Sequence, residues 1–185
     1  MTTKKASSGG TLRKFIVVMV AILLIAIGFT GLNYYLKYYT PNVTDKQEYL
    51  YIHTGATFKD VYDTIKAKGM VKDTASFYKA AENMNYVTRV KPGRYRLKDG
   101  MSNRRLINML ASGTQQPVTI SFHNIRLKAD FAGFIGRYLE ADSASILRLL
   151  DSASFVKQYG FTTDNVYVMF MPNTYSMYWN TTPEK

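Results

Sequence analysis

The chain has 185 residues, 46% hydrophobic and 20% charged, which excludes a disordered protein and bounds it to one or two small domains. It has no Cys, so disulfide and thiol chemistry are excluded, and His53 and His123 alone are too few and too far apart to suggest a metal cluster. Its formal net charge is +11; Lys4, Lys5, Arg13, Lys14 and Lys37 precede the first acid, Asp45, leaving +6 from residue 41 onward and favouring an anionic partner such as a membrane surface, an anionic glycan or nucleic acid.

Residues 1–14 read as a polar, basic tail. Residues 15–36 carry no charge. At about 1.5 Å per residue in a helix, that run can cross a hydrocarbon core of about 30 Å. A cleaved secretory signal would have a shorter apolar region, about 7–15 residues, and a small-x-small site after it. This run is longer and no convincing Ala-x-Ala follows, so it reads as an uncleaved anchor. Arg13 and Lys14 flank its start and only Lys37 lies close to its end, which by the positive-inside rule leaves the N-terminus in the cytoplasm. Tyr34, Tyr35, Tyr38 and Tyr39 fit an aromatic belt at the far interface. The rest of the chain is then expected outside the cytoplasm, bound by a single pass to the inner (cytoplasmic) membrane. Nucleic acid is excluded as a partner on that reading.

After the Thr40-Pro41-Asn42 break, Tyr49 to Ile52 reads as a short strand. Thr57 is placed to cap a helix carrying Phe58, Val61, Tyr62 and Ile65, ended by Lys68-Gly69. Asp73-Thr74-Ala75-Ser76 opens a second helix with Phe77, Tyr78, Ala81 and Met84 on one face. Residues 94–97 form another strand. Ser102 caps a helix with Leu106, Met109 and Leu110, stopped by Ser112-Gly113, and residues 118–122 form a third strand.

Part of this pattern recurs. Ile52-His53 precedes Phe122-His123 by 70 positions, and Asp73-Thr74-Ala75-Ser76 precedes Asp142-Ser143-Ala144-Ser145 by 69. Asp151-Ser152-Ala153-Ser154-Phe155 matches better at a different offset. Internal duplication and the common use of Asp and Ser caps both explain this.

Met169-Phe170-Met171-Pro172-Asn173-Thr174-Tyr175 turns abruptly from apolar to polar. One reading is a buried strand ending at a Pro turn held by Asn173 and Thr174, with the aromatics in the core. The other is a sugar-binding surface in which Tyr175, Tyr178 and Trp179 supply rings beside fixed polar groups.

Four segments resemble the YceG-like family of endolytic murein lytic transglycosylases. They are the anchor, Lys91-Pro92-Gly93-Arg94-Tyr95-Arg96-Leu97, the helix ending Leu110-Ala111-Ser112-Gly113, and Phe170-Met171-Pro172-Asn173-Thr174-Tyr175. The resemblance implies an α+β chain: a transmembrane helix over 15–36, a LysM-like βααβ module over 47–117, and from 118 to 185 the start of an α/β catalytic domain. It implies cleavage within nascent peptidoglycan strands, leaving 1,6-anhydro-N-acetylmuramic ends, in the company of cell-wall synthesis proteins. A non-catalytic, membrane-tethered glycan-binding module is the alternative. Asn173, Thr174, Tyr175 and Trp179 are the candidate substrate-binding residues.

The family's catalytic Glu does not map onto this chain. The family keeps it in a Glu-Lys-Glu-Thr segment well downstream of the Pro motif, and Glu184-Lys185 lies too close to Pro172 to be that segment. A Glu five residues before the motif's Pro is replaced here by Tyr167, and a Glu-Gly turn by His123-Asn124. Tyr167, with a reference pKa near 10, is a poor general acid at neutral pH. The catalytic acid is therefore expected beyond Lys185, and the sequence reads as the N-terminal portion of a longer enzyme. No metal is expected. A pyridoxal-type lyase would need a soluble cofactor site with a Schiff-base Lys, and nothing points to one, so no cofactor is expected either.

Overall fold

The structure is a computed structural model and describes residues 9–44, 46–123 and 127–185; the side chains of residues 9–12 and of Tyr167 lie outside the described residues. Helix α1 runs Gly9–Tyr39, without a proline until Pro41 stops it. From residue 13 to residue 36 it is exposed throughout. It is long and apolar enough to cross a membrane.

The first unit follows directly. Strands β1 (Tyr49–Ile52) and β2 (Gly93–Arg96) pair antiparallel, Tyr49 opposite Arg96 and Ile52 opposite Gly93. Between them come α2 (Phe58–Ala67), α3 (Thr74–Asn83) and a 3-10 turn (Tyr86–Thr88); α4 (Asn103–Ser112) follows β2. The expected caps are present. Thr57 and Asp60 form a reciprocal capping box, Asp73 accepts from the Ser76 amide, and Gly113 closes α4 at φ 76°. Leu50, Ile52, Ile65, Phe77, Tyr86, Tyr95, Leu106 and Leu110 form a closed core.

Asn42 fastens the exit of α1 to this unit. Its amide donates to the Asp73 carbonyl (2.9 Å) and to Asn103 Oδ1 (2.7 Å), and its Oδ1 accepts from the Asp73 amide (2.8 Å). Asn42 and Asn103 are buried, and each is satisfied, as buried polar groups must be.

A second unit has a related order, with all of its α-helices between its two strands. Strand β3 (Val118–Phe122) pairs antiparallel with β4 (Asn173–Met177), with α5 (Lys128–Ile135), α6 (Ser143–Leu150) and α7 (Ala153–Lys157) between them. Val118, Ile120, Phe122, Phe131, Ile135, Ile146, Leu150 and Trp179 belong to its separate core. The described residues thus form an α+β chain with two cores.

Two expectations need correcting. The apolar run before Pro172 is not a strand: Val166–Met169 is a 3-10 turn, and the strand begins after the proline, at Asn173. Pro172 has no N–H to give a ladder and presses Met171 out of helical conformation, so pairing can start only beyond it. Tyr38 is also not in the aromatic belt. It is 5% exposed, in the core of the first unit, with its hydroxyl accepting from Asn83 (2.9 Å).

Candidate functional site

The alternation Val118-Thr119-Ile120-Ser121-Phe122 buries every second residue of β3. Its register sets Ser121 opposite Thr174 and Thr119 opposite Ser176. All four of these are exposed. The two strands therefore carry a row of four hydroxyl side chains on one open face, with Thr174 Oγ1 donating to Ser121 Oγ at 3.2 Å. Such a face offers donors and acceptors to the hydroxyl edge of a sugar. Reading the sequence for short motifs missed Thr119, Ser121 and Ser176; the period-two alternation in both segments was the available signal.

The four predicted binding residues separate. Thr174 stands in the hydroxyl row. Asn173 is exposed at the start of β4, its Oδ1 accepting from the Thr174 amide (2.7 Å). Tyr175 faces the other way: its ring stacks on Phe122 with centroids 5.4 Å apart and planes 7° apart, and its hydroxyl donates to the Met171 carbonyl (2.9 Å). Trp179 is buried, with its ring 5.0 Å from Tyr51 and 5.0 Å from His53. Trp179 is thus packed into the fold, while Tyr175 is half-buried with one ring face on Phe122.

Trp179 belongs to the junction between the units. Beside it, the Glu140 carboxylate accepts from the Thr54 amide (2.7 Å) and the Thr54 hydroxyl (2.7 Å), and lies 3.1 Å from His53 Nδ1. The Glu140 amide donates in turn to the Trp179 carbonyl (2.8 Å).

Behind the sheet, Ile120, Phe122, Tyr175 and Met177 line an apolar cavity of about 330 Å³, and Glu184 and Lys185 line it as well. The remaining glutamates are spoken for by structure: Glu48 pairs with Arg96, and Glu82 with Lys79. Among the described residues, no carboxylate stands in the hydroxyl row. Of the positions matched to family glutamates, Asn124 and the side chain of Tyr167 lie outside the described residues. Nor do the described residues bring together three metal-ligating side chains.

The YceG-like family model matches residues 50–185, spanning both units. Among solved structures, a crystal structure of a YceG-like protein from Listeria monocytogenes is 20% identical, over 74% of this chain and 51% of that chain, with a TM-score of 0.35. The chain thus spans about half the length of that protein. No curated protein matches the chain.

Proposed function

Because the chain belongs to the YceG-like family, we propose that it is the anchored, glycan-holding part of an endolytic peptidoglycan lytic transglycosylase. The observation that carries this reading is the family match over both units, 50–185, joined to the open hydroxyl row of Thr119, Ser121, Thr174 and Ser176. In the proposed arrangement the LysM-like unit, 47–117, and this row lie along a nascent glycan strand outside the cytoplasm, near the enzymes that polymerise it. A protease added to sealed spheroplasts should then digest the part after Thr40. Protection until lysis would place the units on the wrong side.

The reaction needs one acid. A carboxylic acid protonates the glycosidic oxygen as the C1–O bond breaks. The muramyl 6-hydroxyl attacks C1 of its own ring and gives its proton to the carboxylate left by the first transfer, closing the 1,6-anhydro ring without water. None of the four Glu is free for that role: three are held in structural contacts, and Glu184 lines the apolar cavity. The purified chain should therefore bind uncrosslinked glycan strands and release no anhydro ends, as read by mass spectrometry. Thr174→Ala with Ser121→Ala should weaken the binding. Anhydro products formed at a rate comparable to an active transglycosylase would overturn the assignment of roles. The same hydroxyl row supports a second reading, a non-catalytic tethered glycan-binding module. It would be favoured if the chain binds glycan strands without cleaving them and no longer form of the protein cleaves them either.

A further inference from the structure

The positive charge outside the anchor is unevenly divided. Residues 41–117 hold 13 Lys and Arg against seven Asp and Glu, whereas residues 118–185 hold six of each. The whole excess of +6 thus belongs to the unit joined to the anchor.

That unit has no spacer from α1. The exposed apolar run ends at Leu36, and the next three residues are already built into the unit. Tyr38 lies in its core. The Lys37 carbonyl accepts from Asn103 Nδ2 (2.9 Å) and Ser76 Oγ (3.5 Å). Arg104 Nη1 donates to the Tyr39 hydroxyl at 2.8 Å. From Leu36 to Tyr39 the helix rises only about 4.5 Å. The polar headgroup layer is about 5–7 Å deep on each side of the hydrocarbon. Arg104 and Lys37 therefore stand at headgroup level whenever α1 spans a bilayer, and the start of α3 and of α4 lies beside them.

The charged groups on these elements are mostly basic. Among the described residues Lys37, Lys72, Arg104 and Arg105 have no carboxylate partner, whereas Lys79 is paired with Glu82. The Asp73 carboxylate is engaged as the cap of α3, accepting from Ser76. We propose that this end of the first unit, Lys37, Lys72, Arg104 and Arg105, is a docking surface for the headgroups of anionic phospholipids in the membrane the anchor crosses. It would hold the first unit down on the bilayer. The proposal does not depend on the glycan reading, because it concerns the opposite partner and different residues.

The absence of Cys makes the test direct. The full chain, carrying a fluorophore at Ala75→Cys beside Ser76, is placed in phosphatidylcholine nanodiscs containing phosphatidylglycerol. Quenching by headgroup-spin-labelled phosphatidylglycerol is compared with quenching by the phosphatidylcholine equivalent. The expected result is a preference for phosphatidylglycerol that falls by about fivefold for each of Lys37→Gln and Arg105→Gln. It should survive Arg104→Lys but not Arg104→Gln, ignore Arg148→Gln on the second unit, and weaken in high salt. Equal quenching by the two lipids, or a preference indifferent to these substitutions, would overturn the proposal. So would quenching by neither, since the fluorophore would then be far from the headgroups. A fluorescence response to uncrosslinked glycan strands in pure phosphatidylcholine, abolished by the same substitutions, would assign the surface to glycan instead.

Discussion

At the scale of single residues, the first unit contains both a required glycine and a misfit tyrosine. Gly93 has φ 140°, and a Cβ built there would lie 2.2 Å from the Gln115 side chain, so the Gly of Gly93-Arg94-Tyr95 answers both to backbone conformation and to space. Tyr95, two residues on, is buried, and its hydroxyl donates to the Lys91 carbonyl (3.0 Å). Burial pushes its pKa up to about 12. Tyr86 is also buried, but among the described residues its hydroxyl has no hydrogen-bond partner, and burial raises its pKa. Tyr86→Phe removes a desolvated, unpaired group and should leave stability unchanged or raise it by about 1 kcal/mol in urea unfolding. A clear loss would mean that the hydroxyl has a partner. Both tyrosines ionise less readily folded than unfolded, so their contribution is whole below pH 10 and is lost as pH rises past it. Tyr86→Phe should delay the alkaline loss.

At the scale of elements, the caps were the most legible features. Thr57, Asp73, Ser102 and Asp142 all cap the helices they precede. Capping is local: a side-chain oxygen satisfies an amide two or three residues ahead, whatever the tertiary context. Hydrogen bonds from Ser145 hold the Asp142 carboxyl below its usual range. Its contribution is therefore present at neutral pH and is lost as pH falls below 3.8 toward the folded value. Asp142→Ala should destabilise α6 at pH 7, and the deficit should shrink on acidification, as followed by circular dichroism. A deficit independent of pH would mean the charge contributes nothing. The sequence match at Asp151-Ser152-Ala153-Ser154 turned out to be the weaker guide. Ser152 occupies the cap position of α7 without a side-chain capping bond, and Asp151 closes α6 and pairs with Lys128.

At the scale of the molecule, the two units share one arrangement: outer strands paired antiparallel, with helices between them. Leu50 and Ile52 of β1 correspond to Ile120 and Phe122 of β3 at an offset of 70, and the Asp-capped helices α3 and α6 begin 69 apart. The units meet where Glu140 takes both Thr54 donors and Trp179 packs on Tyr51 and His53. The Glu140 side chain is only 20% exposed, so these charge-assisted bonds count for more than surface ones. Glu140→Ala should free the Thr54 amide, which should exchange its hydrogen about tenfold faster, while the caps within each unit stay protected. Unchanged exchange at Thr54 would show that Trp179 alone holds the junction.

The chain order by itself determined the long apolar N-terminal helix, the strands and helices of the first unit, and the capped starts of its helices. Each of these follows from composition or from neighbours a few residues apart. Only the tertiary structure decided what the aromatic residues do. Tyr38, Tyr175 and Trp179 can pack in a core or offer a ring to solvent, and which of these happens depends on partners such as Phe122, 53 residues from Tyr175 along the chain, and Tyr51, 128 residues from Trp179. The hydroxyl row was likewise hidden because it exists only when β3 and β4, more than 50 residues apart, pair in one register.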